Sequence, residues 1–305
     1  MWFATHSHRF LPRPFGGMVL ATLALVFSAL VSPACAAVAS AHSAQSLRAV
    51  HDGMTEMLKH NQFQRPFYLE SSESQQGVKG DAYAVINYPL ASLNVALGDP
   101  AHWCDVMLTH LNTKQCRVAQ DSSGATLALS IVRKYSQPVA QALTLALRYR
   151  LLVATPDYLE LELNSQDGPL GTRKYRILFQ ATSLAPGQSF LHFSYSYEAS
   201  ALTRLATRAY LATFGRDKVG FTLVQQHANG AAEFIGGMRG LVERNAMRYF
   251  LAIEAYLEAL AVPPAEQFEK RLDYWFSATE RYPRQLHELD RASYLELKRA
   301  DYQAR

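Results

Sequence analysis

The fold is decided by residues 236–260, which read GGMRGLVERNAMRYFLAIEAYLEAL. Apolar residues recur there at helical spacing and form one stripe, which consists of Met238, Val242, Ala246, Tyr249, Ile253, Tyr256 and Leu260, with Leu241, Phe250 and Leu257 beside it. The charged residues fall mostly outside the stripe; they are Glu243, Arg244, Arg248, Glu254 and Glu258. At 1.5 Å per residue the helix is about 35 Å long. A long late helix with one apolar face indicates a sheet beneath it.

The helix has clear limits. Three glycines mark its start, at 236, 237 and 240, and Pro263-Pro264 ends it because proline cannot continue the helical hydrogen bonds. A glycine-rich helix start can bind an anion. Without a diagnostic spacing before it, a turn or tight packing is the better explanation for these glycines.

Residues 1–36 predict a secretory signal. Arginines at 9 and 13 precede an uninterrupted apolar run at 17–31, and Ala34-Cys35-Ala36 forms a small-x-small cleavage site. The run is shorter than the roughly 20 residues that a membrane-spanning helix needs. We therefore expect a periplasmic protein with a cleaved signal. The alternative is a protein anchored to the inner membrane by an uncleaved signal.

The rest of the chain divides into three predicted parts. Residues 37–79 form an N-terminal helix and a polar linker, and residues 80–262 form the central domain. Residues 263–305 form a C-terminal helical extension, whose charges alternate in sign as on a solvated face. Docking of a partner by this extension is the second interpretation.

The cysteines predict a disulfide. Removal of the signal leaves Cys104 and Cys116, an even pair in an oxidising compartment. The alternatives are a metal pair or a reactive thiol, but no Cys-x-x-Cys or Cys/His spacing supports a metal site. We therefore predict that Cys104 and Cys116 are bonded to each other.

Segments that alternate apolar and polar residues predict a sheet. The predicted strands are 81–88, 126–135, 142–153, 158–164, 173–181 and 189–198, with short helices at 90–97 and 103–111. Along the third strand, Leu145 and Leu147 share one face while Arg148 takes the other. The predicted fold is α+β: a curved antiparallel sheet wrapped around the long late helix, with extra C-terminal helices.

This order of elements, with the GGMRGLVERN start of the late helix, resembles the START-like (SRPBCC) helix-grip superfamily, which also contains polyketide cyclases and the plant allergen Bet v 1. The resemblance covers about residues 80–260. It implies an apolar cavity between the sheet and the late helix, and hence a hydrophobic ligand. More narrowly, segments 65–71, 80–84 and 103–116 look like a group of secreted proteobacterial proteins for which no activity is known.

One segment, at about residues 202–234, departs from this family. Residues 202–215 are helical in pattern and precede a predicted last strand at 221–226. An insertion near the cavity rim acts either as a lid or as packing. The periodicity favours packing, since it is ordinary for core-facing helices.

Candidate ligand-binding residues follow from the helix stripe and the strand at 189–198. Asn245 is a polar residue on the stripe, where it needs a hydrogen-bond partner in the sheet or in a ligand. Tyrosines combine an apolar ring with a hydroxyl. The complete candidate set is Val242, Asn245, Tyr249, Ile253, Tyr256, Tyr195 and Tyr197.

Catalytic motifs are absent from the sequence. It contains no Gly-x-Ser-x-Gly, His-Glu-x-x-His, phosphate loop or dinucleotide fingerprint, so we predict no catalytic residue, metal or cofactor. If the protein were an enzyme, His192 is the first candidate, although its strand position places it opposite the aromatic face. The net charge of +4 is small and dispersed, which argues against nucleic-acid binding.

The sequence therefore favours a periplasmic binding or carrier protein for a hydrophobic or amphipathic small molecule, with a lipid among the candidates. The alternatives are a cyclase- or hydrolase-type enzyme that uses the same cavity, and a non-catalytic envelope protein that contacts its partner through the C-terminal helices.

The predicted signal leads to a direct test. On expression of the full chain in a Gram-negative host, we expect the periplasmic fraction to contain protein that begins at Ala37, because the small-x-small site ends at Ala36. Intact-mass spectrometry of that fraction measures the start. A membrane-bound protein that retains residues 1–36 would contradict the cleavage and support the uncleaved anchor.

Overall fold

The computed structural model describes residues 42–228 and 230–303. The predicted signal at 1–36 lies outside these residues. Within the described part, no helix is both long enough and apolar enough to cross a membrane.

The main layer is an antiparallel sheet, as predicted. It has eight strands in the order β1-β2-β8-β7-β6-β5-β4-β3. The strands β3 to β8 follow one another as a meander, and the β1-β2 hairpin adds to β8 at the far side. The strands are β1 (Phe67–Glu73), β2 (Gly77–Ile86), β3 (Thr113–Asp121), β4 (Gly124–Ile131), β5 (Leu143–Ala154), β6 (Tyr158–Asp167), β7 (Thr172–Ala185) and β8 (Gln188–Ala199).

Two of these strands were not predicted. β1 lies in the stretch that we expected to be a polar linker, and β3 follows directly after the second short helix. β1 has only two buried side chains, Phe67 and Leu69, before its polar half. β3 likewise becomes exposed after Cys116. Both strands are at the edges of the sheet, where a one-sided apolar pattern fades and the sequence signal is weak.

Nine helices accompany the sheet in the described part of the chain. They are α1 (Ala44–Gly53), α2 (Thr55–Lys59), α3 (Leu90–Leu97), α4 (Pro100–Leu108), α5 (Ala201–Ala212), α6 (Gly237–Ala259), α7 (Pro264–Thr279), α8 (Pro283–Leu286) and α9 (Arg291–Gln303). The chain passes from β2 to β3 through α3 and α4. α6 packs on β1, β2 and β8, so the predicted α+β fold, with a late helix held against an antiparallel sheet, is confirmed.

The disulfide between Cys104 and Cys116 is present, as predicted. It joins α4 to the edge strand β3. Trp103 beside it is fully buried and donates its indole N–H to the carbonyl of Leu97 at 2.9 Å. The disulfide therefore fastens the α3–α4 connection to the sheet.

The charged residues of α6 that lie outside its apolar stripe are not exposed to solvent. Glu243, Arg244, Arg248 and Glu254 are all buried, because α4, α5, α7 and α8 cover the side of α6 that faces away from the sheet. Glu243 accepts hydrogen bonds from the backbone N–H groups of Phe221 and Thr222. Glu254 pairs with Arg65. Burial of charge is tolerated here because partners are supplied.

The C-terminal helices pack into the core. In α9, Tyr294 donates its hydroxyl to the carbonyl of Thr109 at 3.0 Å. The ammonium of Lys298 donates to the carbonyl of Thr113 at 2.7 Å and to Asp301 at 2.9 Å. Tyr294 and Lys298 are each 1% exposed, so α9 is attached to the α4–β3 connection rather than lying free in solvent. The division of the chain at residue 262 remains a prediction.

The predicted last strand at 221–226 does not join the main sheet. Its residues form β9 (Leu223–Gln226), which pairs only with β10 (Ala232–Phe234) in a separate two-stranded sheet. All four residues of β9 are exposed. The apolar pattern at this point was therefore not sufficient to identify a core strand.

Helix α6 lies close to the sheet at Gly80 in β2. A Cβ atom added to Gly80 would lie 3.1 Å from the Cβ of Ala246 and 3.3 Å from the carbonyl oxygen of Val242. Glycine at this position lets backbone and helix come together without a side chain between them.

We therefore expect Gly80→Leu to lower the free energy of unfolding by about 1–3 kcal/mol, because the added side chain has to displace α6. Urea denaturation measures the change. The control is Gly53→Leu, since a Cβ at Gly53 meets no atom within 4 Å. Equal losses in the two variants would contradict close packing at Gly80.

Candidate functional site

A cavity of about 490 Å³ lies between α6 and the sheet. This volume is within the range of about 300–1,000 Å³ that is usual for small-molecule sites. Its walls come from β4, β5, β7, β8 and α6, and from the connection between β4 and β5. Arg133, Lys134 and Ser136 of that connection are exposed, so the cavity opens to solvent beside them.

The sheet side of the cavity is apolar. Leu129 of β4 pairs with Leu145 of β5, and Ile177 of β7 pairs with Tyr195 of β8. Successive side chains in a strand point to opposite faces, so the alternation in these strands places every second apolar residue towards α6. The apolar lining consists of Leu111, Leu129, Ile131, Val132, Leu145, Leu147, Ile177 and Leu241.

Three tyrosines form an aromatic wall. The ring centroids of Tyr195 and Tyr249 are 5.4 Å apart, and those of Tyr175 and Tyr195 are 6.5 Å apart. Burial raises the pKa of Tyr195 well above its ordinary value, and burial likewise raises the pKa of Tyr249. Both side chains are therefore neutral phenols that offer an apolar ring to a ligand.

One end of the cavity is cationic. Arg244 and Arg248, one helical turn apart on α6, both contact Glu288, with Nη2–Oε1 distances of 2.5 Å and 3.0 Å. The ammonium of Lys218 lies 3.0 Å from each oxygen of the same carboxylate. Three cations therefore share one anion, and each of the four side chains lines the cavity.

The pKa values reflect this excess of positive charge. Burial, followed by the charge of Arg248, lowers the pKa of Arg244 to about 10. Burial also lowers the pKa of Arg248. Burial works to raise the pKa of Glu288, but the charges of Arg248, Lys218 and Arg244 hold it below its ordinary value. Arg244 and Glu288 are therefore both charged at neutral pH.

Hydrogen bonding at this end is incomplete. Arg244 donates to the carbonyl of Gln285 and Arg248 donates to that of Leu286. The Nε atoms of Arg244 and Arg248 and the Nε2 atom of His110 are buried without a well-formed hydrogen bond, and only one other buried side-chain atom in the described residues shares this condition. Since buried polar groups are usually paired, three such atoms on residues of one cavity lining make this end of the cavity the candidate polar site.

His110 is a neutral histidine. Its Nδ1 accepts a hydrogen bond from the backbone N–H of Asn112 at 3.2 Å, and its ring stacks on Tyr249 with 5.2 Å between centroids. Burial, reinforced by the charges of Arg248 and Lys298, lowers its pKa to about 3, although the neighbouring Asn245 side chain acts in the opposite direction. A group with this pKa is a weak base and carries no proton to donate as imidazolium near neutral pH.

The structure brings three of the sequence-predicted ligand residues to the cavity, namely Asn245, Tyr249 and Tyr195. The other four are not part of the lining. Val242 and Ile253 are enclosed in the core, Tyr256 packs against His102 and Arg271, and Tyr197 stacks on Tyr175. A ligand role for any of the seven remains a prediction.

His192 lies on the other face of the sheet, as its strand position predicted. Its Nε2 is 2.8 Å from Asp81 and its Nδ1 is 2.9 Å from Gln180. Its ring stacks on Tyr83 with 4.5 Å between centroids. These contacts give His192 a structural role away from the cavity.

The cationic end was missed at the level of sequence. Arg244 and Arg248 were predicted to lie outside the apolar stripe of the late helix, and Glu288 and Lys218 are distant from them in the chain. Their common position arises only because the chain after α7 returns to α6. The one available signal was the pair of arginines four residues apart, next to Asn245 on the apolar stripe.

Helix α5 forms part of the cavity rim rather than of the core. Tyr210 lines the cavity, and Leu211 is the buried residue of α5. Leu202 and Leu205 are 76% and 66% exposed. The expectation that this helix serves mainly as packing is therefore wrong, because most of its apolar residues face solvent.

Comparisons with known proteins give fold likeness only. No family model and no curated protein matches the chain. It is similar to a START superfamily protein from Mycobacterium smegmatis, with 14% identity over 46% of this chain and 92% of that chain (TM-score 0.29). It is also similar to human StAR-related lipid transfer protein 5, with 11% identity over 57% and 89% (TM-score 0.30). A third similar structure is the Zhui aromatase/cyclase from Streptomyces sp. R1128, with 11% identity over 70% and 95% (TM-score 0.30).

The neighbours are thus START and aromatase/cyclase proteins, the kinds of protein that the sequence resembled. At these identities and TM-scores the likeness carries no argument about function.

The buried neutral His110 leads to a pH-dependent stability. Its folded pKa of about 3 lies below the unfolded value near 6.5, so the unfolded chain binds the proton first as pH falls. The stability contributed by the neutral ring is complete above about pH 6.5 and is lost progressively towards pH 3.

We expect the wild type to lose about 2 kcal/mol more of its unfolding free energy between pH 7 and pH 5 than His110→Asn does. Urea denaturation at the two pH values measures the difference. His60→Asn is the control, because His60 is exposed and its replacement should leave the pH dependence unchanged. A His110→Asn profile equal to the wild type would show that His110 is not buried in its neutral form.

Proposed function

We propose that the protein is a binding or carrier protein for a hydrophobic or amphipathic small molecule, and that it acts in the periplasm. The observation that carries this proposal is the cavity of about 490 Å³, which has an apolar wall from four strands and a polar end on α6. Apolar cavities with a few placed polar groups are the usual form of small-molecule sites.

Location in the periplasm is part of the same proposal. It is supported by the signal pattern at 1–36 and by the Cys104–Cys116 disulfide, since structural disulfides persist mainly in oxidising compartments. Membership of the group of secreted proteobacterial proteins that the sequence resembles belongs to this proposal as well.

Binding without catalysis fits the titratable groups of the cavity best. His110 is neutral with a low pKa, and Glu288 is ionised and paired with three cations. Neither group is suited to proton transfer near neutral pH. The open volume also favours a ligand over an interior that the protein's own side chains fill.

Filling the cavity should abolish binding without unfolding the protein. Ile131 lines the cavity at the end of β4 and is only partly buried, so Ile131→Trp can occupy the volume with limited strain in the core. We expect at least about tenfold weaker binding of the neutral fluorescent probe N-phenylnaphthylamine, because the ring takes the place of the ligand. Fluorescence titration measures the affinity.

The matched control is Leu151→Trp in the neighbouring strand, since Leu151 is 44% exposed and does not line the cavity. The control should bind the probe as the wild type does, and both variants should show circular dichroism like that of the wild type. Probe binding unaffected by Ile131→Trp, or absent from the wild type, would overturn the proposed function.

A further inference from the structure

We infer that the cationic end of the cavity is an anion subsite, formed by Arg244, Arg248 and Lys218, which binds the carboxylate or phosphate head of an amphiphile. This inference rests on the proposed function and adds the chemical class of the ligand. The apolar body of the amphiphile then lies along the strand wall.

The charge balance of the cavity supports an anionic ligand. Its lining contains five cationic side chains, which are Arg133, Lys134, Lys218, Arg244 and Arg248, and one carboxylate, Glu288. Arg133 and Lys134 are exposed at the mouth, whereas Arg244 and Arg248 are 3% and 6% exposed. Positive charge that is removed from water and only partly neutralised is costly. An anion at this end would complete the neutralisation.

The hydrogen bonding of the two arginines is also incomplete. A guanidinium carries five N–H donors and no acceptor. The Nε–H groups of Arg244 and Arg248 have no acceptor in the described part of the chain. An oxygen atom of a carboxylate or phosphate is the acceptor that arginine binds best, because the geometry of the two groups matches.

The position of the subsite indicates an amphiphile rather than a free inorganic ion. Arg248 and Tyr249 are consecutive on α6. Tyr249 belongs to the aromatic wall, and its ring centroid lies 5.4 Å from that of Tyr195. The charged and apolar linings therefore belong to one continuous cavity. A free ion would fill the cationic end and leave the strand wall unused.

The test compares ligands that share an apolar chain and differ in the head group. The probe N-phenylnaphthylamine reports occupancy, and decanoate, decyl phosphate, decanol and decyltrimethylammonium compete for it. We expect decanoate or decyl phosphate to bind at least about tenfold more tightly than decanol, as a charge-assisted hydrogen bond predicts. Decyltrimethylammonium should be the weakest competitor.

Variants connect this preference to the subsite. Lys218→Gln leaves the buried arginines in place, and about a third of the Lys218 side chain is exposed, so folding should be retained. This substitution should weaken the binding of decanoate several-fold and leave the binding of decanol unchanged. Arg244→Gln should weaken decanoate by about tenfold or more. The control is Arg239→Gln on the same helix, because Arg239 donates to Ser71 and lies outside the cavity lining.

The outcomes separate the two proposals. Probe binding with equal affinities for decanoate and decanol would overturn the anion subsite and keep the hydrophobic cavity. Competition by acetate or inorganic phosphate as strong as that by decanoate would show a site for small anions only. That result would overturn the inference that the ligand is an amphiphile. No probe binding to the wild type would overturn the proposed function itself.

Discussion

The structure depends on the burial of α6 by the sheet on one side and by four other helices on the rest of its surface. A helix that carries charged residues can be enclosed in this way only if each charge finds a partner. The chain supplies these partners from distant segments. Glu243 is satisfied by residues 221 and 222, and Glu254 by Arg65 in the stretch before β1. The stretch before β1 and the segment that precedes β9 are thus both bound to α6.

The cavity lies where this pairing is least complete. Arg244, Arg248 and Lys218 share the single carboxylate of Glu288, and the two arginines keep unpaired Nε–H groups. The strands β4, β5, β7 and β8 supply only apolar and aromatic side chains to the cavity. A cavity that is apolar along one wall and short of negative charge at one end is complementary to an anionic amphiphile. The same helix therefore organises the core and the proposed ligand site.

Local patterns were sufficient to predict the α+β fold, the central strands and the late helix, because periodicity directly reports which face of an element is buried. The Cys104–Cys116 pair followed from the even number of cysteines left after removal of the predicted signal and from the lack of a metal-site spacing. The edge strands β1 and β3 were not predicted, because their exposed halves lack the alternation of apolar and polar residues. The cationic end of the cavity was not predicted, for another reason. Its residues come from α6, from the chain after α5 and from the chain after α8, and no local sequence pattern shows that these segments lie together. The sequence did predict three residues of the cavity lining, because the faces of the helix and the strand that carry them were predictable. These residues are Asn245, Tyr249 and Tyr195.

The central claim is that the cavity holds an amphiphile in the native protein. Mass spectrometry of protein purified from the periplasm, first under native and then under denaturing conditions, tests it most directly. We expect a stoichiometric adduct that is lost on denaturation. The organic extract should then contain it as a negative ion with an apolar chain. A bare protein that also takes up nothing from a total lipid extract would contradict it.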